Sequence, residues 1–123
     1  MINVIYSVLL IFTFMVYGCT STGTINKQEN NKYGLTQEQY NYVKNETVPD
    51  GKLDFEKQFQ TNQLVLFDDV AYNKRDAALY TWALTMKKLG IKNVEDAIAL
   101  YEDLRSTKLK NVQKIAMQNG FNK

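Results

Sequence analysis

Three pairs of adjacent carboxylates are the side chains of this sequence best suited to acid–base chemistry. They are Asp68/Asp69, Glu95/Asp96 and Glu102/Asp103. Two carboxyl groups placed across a glycosidic bond can hydrolyse it, one as acid and the other as base or nucleophile. The chain has no histidine, which is the commonest general base and metal ligand. Because adjacent acids on amphipathic helices are usually solvated, we expect no catalysis, no metal site and no cofactor.

The only cysteine, Cys19, lies where an apolar N-terminal segment gives way to a polar one. Residues 4–17 carry no charge, and the dense apolar run 8–12 lies among them. A membrane-spanning helix needs about 20 apolar residues to cross roughly 30 Å of hydrocarbon. This shorter run, interrupted by Ser7 and Thr13, is typical of the h-region of a signal peptide. The pattern predicts a leader over residues 1–18.

Val16-Tyr17-Gly18-Cys19 ends the leader and resembles the lipobox of bacterial lipoprotein precursors. An aliphatic residue stands three before the cysteine and a small residue directly before it. The resemblance implies that the Cys19 thiol takes a diacylglyceryl group, that cleavage falls before Cys19, and that the new amino terminus is acylated. The alternative is an uncleaved signal anchor, beside which Cys19 is an incidental thiol.

A lipid anchor at Cys19 would fix where the protein resides. Each buried methylene contributes about 0.8 kcal/mol, so two or more acyl chains anchor a protein stably. In Gram-negative lipoproteins the residue after the acylated cysteine influences sorting, and Thr20 there resembles outer-membrane cargo. We therefore expect a cell-envelope protein on the outer membrane, facing the periplasm, with no nucleic acid as partner.

The rest of the chain divides into a linker and a domain. Residues 20–32 are rich in Ser, Thr, Asn and Gly, which predicts that 19–32 is a lipidated cysteine with a disordered linker. Residues 33–123 are one domain's length, and their apolar residues recur at helical spacing. Since short links imply antiparallel neighbours, we predict an all-α fold. It would be a small helical bundle of four to five short helices behind a flexible N-terminal linker.

Residues 75–89 form the clearest predicted helix. Apolar side chains cover most of its circumference, so it should be the central helix. Asn73 is its expected N-cap. Gly90 and Ile91 are typical of its end, with Ile91 folding back near Met86.

Shorter helices are predicted on either side of it. A capping box at Thr36 and Gln39 begins one, and Asn93, with Asp96 three residues later, begins another. Residues 64–71 are spaced as a helix, although the first four are equally typical of a short strand.

The last helix is expected over residues 108–119. It should bury four apolar side chains: Leu109, Val112, Ile115 and Ala116. Gly120 and Phe121 repeat the glycine-then-apolar ending of the central helix.

Positive charge is concentrated at this end of the chain. Residues 105–123 contain five Lys and Arg and no Asp or Glu, whereas residues 19–104 contain ten basic and thirteen acidic residues. Lys108, Lys110 and Lys114 therefore form a possible partner-binding surface for anionic lipid, glycan phosphate or an acidic protein. The interpretation we favour is that they pair with the acidic helix before them and are otherwise solvated.

Residues 50–56 resemble the second half of an EF-hand loop, with Gly51 at the bend. In that alignment Val48 and Lys57 occupy positions where Ca²⁺ needs oxygen ligands. We expect a plain turn.

The residues predict a membrane-anchored, non-catalytic envelope protein whose helical domain binds another envelope protein. By analogy of class, it would be an accessory of a secretion or envelope machine, or an exclusion or immunity factor. The alternative is a cell-wall glycan-binding or glycan-acting protein that uses its surface carboxylates. A cleft holding two perturbed carboxylates would favour the alternative, and an exposed apolar patch on a convex bundle would favour partner binding.

Cys19→Ala should abolish incorporation of labelled palmitate in bacterial cells and leave unprocessed precursor, because no other thiol is present to acylate. The measurement is palmitate labelling with gel mobility of wild type and variant. Equal labelling of the two proteins, or labelling of neither, would contradict the lipoprotein interpretation.

Overall fold

The computed structural model describes residues 30–59 and 62–123 of the chain. This part contains four α-helices, one 3₁₀ helix and a two-stranded antiparallel sheet. Along the chain they are α1 (Gln37–Glu46), the 3₁₀ helix (Phe55–Gln58), β1 (Val65–Phe67), β2 (Val70–Tyr72), α2 (Lys74–Leu89), α3 (Val94–Arg105) and α4 (Asn111–Phe121). The fold is mostly helical, as predicted, and it also contains one small two-stranded sheet.

The predicted leader, Cys19 and residues 20–29 of the predicted linker lie outside the described residues. Among the helices that the structure does describe, none is long and apolar enough to cross a membrane.

α2 is the central helix, as predicted, and it contacts α3, α4, the 3₁₀ helix and β2. The Asn73 side chain caps its start by accepting a hydrogen bond from the N–H of Asp76 at 2.8 Å. At its end Gly90 has φ of 121°, and the N–H of Ile91 donates to the carbonyl of Met86 at 3.1 Å. Both ends of α2 are therefore confirmed.

The starts of α1 and α3 are also as predicted. Thr36 Oγ1 accepts from the N–H of Gln39 at 3.1 Å, and Gln39 Oε1 accepts from the N–H of Thr36 at 3.0 Å. The Asn93 side chain accepts from the N–H of Asp96 at 3.0 Å. Each cap satisfies backbone donors that have no partner within the helix.

Trp82 is the largest fully buried side chain of the core beneath α2 and is only 2% exposed. Its Nε1 donates a hydrogen bond to Thr47 Oγ1 at 3.1 Å, so its one polar atom is satisfied. The Tyr101 ring of α3 meets the Trp82 ring edge-on at 5.1 Å. Trp82 therefore joins the end of α1, α2 and α3 in one core.

Gly120 brings α4 close to α2. A Cβ on Gly120 would lie 2.1 Å from the carbonyl oxygen of Tyr80, so the two helices touch backbone to backbone. Ala77 and Ala116 belong to the same buried cluster as Tyr80. The prediction that Gly120 and Phe121 end the helix is wrong, because both lie within α4 and are buried against the core.

A β-hairpin occupies residues where helical spacing favoured a helix over 64–71, and the strand alternative is correct for β1. The strands pair in the register Val65↔Tyr72, Leu66↔Ala71 and Phe67↔Val70. Between them Asp68 and Asp69 have φ of 50° and 65°, which is typical of the type I′ turn that two-residue hairpins prefer. Aspartate adopts this left-handed backbone more readily than most residues, so the acidic pair serves the turn.

The inner face of the hairpin packs on the start of α2 through aromatic rings. The Phe67 ring stacks on the Tyr80 ring with centroids 4.3 Å apart, and the Tyr72 ring lies 5.4 Å from Tyr80. Tyr72 is buried, and its hydroxyl accepts a hydrogen bond from the Asn119 amide of α4 at 2.9 Å. The hairpin is thus held by both α2 and α4.

The chain after α1 makes a plain turn, as predicted. The N–H of Leu53 returns to the carbonyl of Glu46 at 3.0 Å, and a Cβ on Gly51 would lie 2.2 Å from that same oxygen. Glycine is therefore required by the close approach. The Lys57 ammonium pairs with the Asp50 carboxylate, so a cation from the chain itself lies beside this carboxylate.

The folded domain begins inside the predicted linker. Asn31 Oδ1 accepts hydrogen bonds from the N–H groups of Tyr33 at 3.0 Å and Leu35 at 3.1 Å. Tyr33 is buried and its hydroxyl donates to the Asp103 carboxylate of α3; burial raises the pKa of this hydroxyl. Lys32 lies over the Tyr33 ring at 4.9 Å. Asn31 and Lys32, which were expected in the linker, therefore contact the folded domain.

Trp82→Ala should lower the free energy of unfolding by about 3–5 kcal/mol, because it empties a large part of the core and leaves Thr47 without its donor. Urea unfolding followed by circular dichroism measures the change. Lys87→Ala, at an exposed position of the same helix, should change it by less than about 0.5 kcal/mol. Equal unfolding midpoints for the two variants would show that Trp82 is not part of the core.

Candidate functional site

The three lysines of the predicted partner-binding surface lie at the start of α4. Lys108 and Lys110 precede the helix, which begins at Asn111 rather than at 108, and Lys114 lies one turn into it. Lys108 and Lys110 are exposed and Lys114 is half-buried. The structure therefore brings the three lysines to one end of α4. Cys19, the other predicted site residue, is outside the described residues.

Glu102 of α3 forms the link between α3 and the start of α4. Its side chain is only 11% exposed, and its Oε2 accepts a hydrogen bond from the N–H of Leu109 at 2.7 Å. Its Oε1 lies 3.9 Å from Lys108 Nζ, which is 90% exposed. The expected pairing of lysines with the preceding acidic helix is thus observed for Lys108, but it is long and exposed and contributes little to stability.

The first turn of α4 carries uncompensated positive charge. The N–H of Lys110 donates to Gln113 Oε1 at 2.8 Å, so the buried Gln113 side chain gives this backbone donor at the helix start a hydrogen-bond partner. The first turns of α1, α2 and α3 each contain an acidic side chain, and the first turn of α4 contains none. Lysines beside the positive end of the helix dipole favour an external anion.

The orientation of α4 differs from the prediction. Val112 is 62% exposed and Ile115 is 51% exposed, whereas Gln113 and Met117 are buried. The reason is the backbone contact at Gly120, since residues 113, 117 and 120 lie on one face of the helix and turn together toward α2. The prediction that Val112 and Ile115 are buried is wrong, and the predictions for Leu109 and Ala116 are confirmed.

We call Lys108, Lys110, Val112, Lys114 and Ile115 the lysine–aliphatic surface. Two exposed branched aliphatic side chains, one helical turn apart, lie here in the same short stretch of chain as three lysines. Basic and apolar groups side by side can bind a ligand that is itself both anionic and apolar.

A second exposed apolar region lies on the hairpin. Leu66 and Ala71 are paired and lie on the outer face, away from the aromatic rings, and Leu64 continues this face. Leu64 and Leu66 are each 68% exposed, and Val70, beside the turn, is 47% exposed. We call Leu64, Leu66 and Ala71 the outer hairpin surface; Val70 pairs with Phe67 and lies on the inner face. The sequence pattern did not reveal this surface, because it left helix and strand equally open for the first four residues of the segment.

The carboxylate pairs are dispersed over the structure. Asp68 pairs with Lys123 at 2.5 Å, and Asp69 completes the hairpin turn. Glu95 and Asp96 lie at the start of α3. The members of the third pair have different partners, since Glu102 accepts from the Leu109 amide and Asp103 accepts from the Tyr33 hydroxyl. Among the described residues no three His, Cys, Asp or Glu side chains are grouped as metal ligands.

A small cleft lies beside Trp82 between α2, α3 and the 3₁₀ helix. Asp54, Glu56, Arg75 and Tyr101 are among the residues that line it. Its volume of about 30 Å³ gives room for one or two waters. Burial raises the pKa of the Tyr101 hydroxyl, so it stays protonated and can donate a hydrogen bond to such a water.

Comparison of the chain with protein-family models, curated proteins and solved structures finds no match. The candidate surfaces are therefore assessed by their own chemistry.

Ile115→Gln should change the free energy of unfolding by less than about 0.5 kcal/mol, because the side chain projects into solvent. Met117→Ala, two positions further along α4, should cost about 2–5 kcal/mol because Met117 is fully buried. Urea unfolding of both variants gives the comparison. If Ile115→Gln lowered the free energy of unfolding more than Met117→Ala does, α4 would bury Ile115, as the sequence pattern predicts.

Proposed function

We propose that this chain is a membrane-anchored, non-catalytic lipoprotein of the bacterial cell envelope that binds another envelope protein as an accessory. The anchor is the acylated Cys19, and the location is the outer membrane, facing the periplasm. The binding role is supported above all by one observation, the exposure of the aliphatic outer hairpin surface.

The anchoring part of the proposal is supported by sequence. Val16-Tyr17-Gly18-Cys19 follows an uncharged apolar segment and resembles a lipobox, and Thr20 resembles the residue that follows the acylated cysteine of outer-membrane cargo. Between Cys19 and Asn31 the chain can extend no further than about 40 Å. A domain tethered at that distance samples partners in the same membrane far more often than a free protein does.

The binding part is supported by the burial free energy that the exposed leucines of the outer hairpin surface do not gain in the isolated chain. Complete burial of one leucine side chain is worth about 1.5–3 kcal/mol, and Leu64 and Leu66 leave most of this unrealised in the isolated chain. Exposed apolar side chains that are grouped together are typical of a surface that a partner covers.

The hairpin backbone supports a protein as the partner. In a hairpin closed by a two-residue turn, the pair next to the turn is hydrogen-bonded and the following pair directs its N–H and C=O groups outward. That following pair is Leu66 and Ala71. Within the described part of the chain the sheet has two strands. An extended segment of a partner can therefore pair with the β1 edge while its side chains cover Leu64 and Leu66.

The non-catalytic part is supported by the positions of the carboxylates. Asp68, Glu102 and Asp103 each have a partner within the fold, as described above. The cleft beside Trp82 accommodates water and is too small for a sugar ring.

A photoreactive amino acid at position 66 should crosslink to discrete envelope proteins in intact cells, because the proposal places this side chain in the interface. The same amino acid at Lys87, an exposed position near the opposite end of α2, is the matched control and should give no adduct. Gel mobility of the adducts is the measurement.

Leu64→Asp in the same chain should remove the adduct at position 66 without changing the circular dichroism melting curve, since Leu64 is exposed. Equal crosslinking at positions 66 and 87, or none at either, would refute the hairpin as the binding surface.

A further inference from the structure

We propose that the lysine–aliphatic surface at the start of α4 docks on the anionic lipid headgroups of the membrane that holds the chain. This inference rests on the proposed function for its location, and it assigns α4 a role separate from that of the hairpin.

Val112 and Ile115 expose apolar surface at the start of α4. Both are branched aliphatic side chains at least half exposed, and they lie one turn apart on the solvent side of α4. The rotation of α4 is fixed by the contact between Gly120 and Tyr80, so these side chains cannot turn inward without separating α4 from α2. A helix that presents such side chains to a bilayer inserts them just below the headgroups.

Three lysines lie in the same stretch of chain as these aliphatic side chains, at the start of α4. Residues 105–123 contain no acidic residue. Within the described part of the chain Lys110 and Lys114 form no ion pair, and the pair of Lys108 with Glu102 is long and exposed. A lysine near an anionic membrane strengthens association by about fivefold, so three lysines contribute roughly a hundredfold.

A lipid surface suits this region better than an acidic polypeptide does. The recess beside Lys108 is lined by the carboxylates of Glu102 and Asp103, which would repel an acidic segment lying in it. A membrane surface is broad and contacts the ammonium groups and the aliphatic side chains without entering the recess. The proposed anchor also keeps such a surface within about 40 Å of the domain.

The test places an environment-sensitive fluorescent amino acid at position 115 of the full chain. The protein is coupled through the thiol of Cys19, the only cysteine of the chain, to a maleimide lipid in vesicles of phosphatidylcholine, with or without one third phosphatidylglycerol. We expect blue-shifted, brighter emission in the anionic vesicles, reversed by high salt, because docking removes the probe from water. Since this coupling does not depend on acylation of Cys19 in cells, failure of the lipoprotein assignment would leave this readout intact.

Two controls isolate the cause of the shift. The same probe at Leu66, which is also exposed and apolar but lies beside the acidic turn of the hairpin, should not respond to phosphatidylglycerol. Replacing Lys108, Lys110 and Lys114 by Gln should abolish the shift at position 115, as expected for a roughly hundredfold weaker association. Replacing the exposed Lys44, Lys87 and Lys88 by Gln should preserve it. Melting curves of both triple variants establish that they are folded.

Three outcomes would overturn the proposal. The first is the same emission at position 115 in neutral and anionic vesicles. The second is an equal response at position 66, which would indicate general adsorption. The third is an emission shift at position 115 when polyglutamate is added to the protein on neutral vesicles, together with no shift on anionic vesicles. That result would identify an acidic protein as the occupant.

Discussion

Gly120 of α4 lies against the backbone of Tyr80 in α2, and the arrangement of the whole C-terminal half depends on this contact. A side chain at position 120 would place a carbon 2.1 Å from the Tyr80 carbonyl oxygen, so only glycine permits the approach. The contact fixes the rotation of α4 about its own axis. Gln113 and Met117 then face the core, and Val112 and Ile115 face solvent. A single missing side chain thus determines which residues of α4 are available for binding.

The same contact also positions the hairpin. Once α4 is fixed on α2, Asn119 lies at the Tyr72 hydroxyl and Lys123 at the Asp68 carboxylate. These two interactions hold the strand β2 and the turn from the side, while Phe67 and Tyr80 stack beneath. A two-stranded hairpin is marginal on its own in water, so it needs these contacts to persist. These contacts cover its inner face, and its outer face remains exposed to solvent.

What could be predicted from sequence was local. The caps at Asn73 and Asn93 were predicted correctly because a cap depends on residues three apart in the chain. The orientation of α4 was not, because it depends on a contact between residues 80 and 120 that no spacing reveals. The hairpin was predicted only in part. Its first strand was one of two alternatives, because four apolar residues fit a strand and a helix equally, and the left-handed turn at Asp68 and Asp69 carries no glycine. At the candidate site the positions of the lysines were predicted, while the aliphatic residues beside them required the structure.

The two candidate surfaces are physically linked although they carry different chemistry. The hairpin surface is aliphatic and follows an acidic turn, while the surface at the start of α4 joins aliphatic side chains to lysines. Both are held in place by α4, one at each of its ends. If the lysine end rests on a membrane, the rigid helix fixes the height and direction in which the hairpin is presented. Membrane docking would then reduce the orientations that a partner has to search, and this lowers the entropy cost of binding without any added contact.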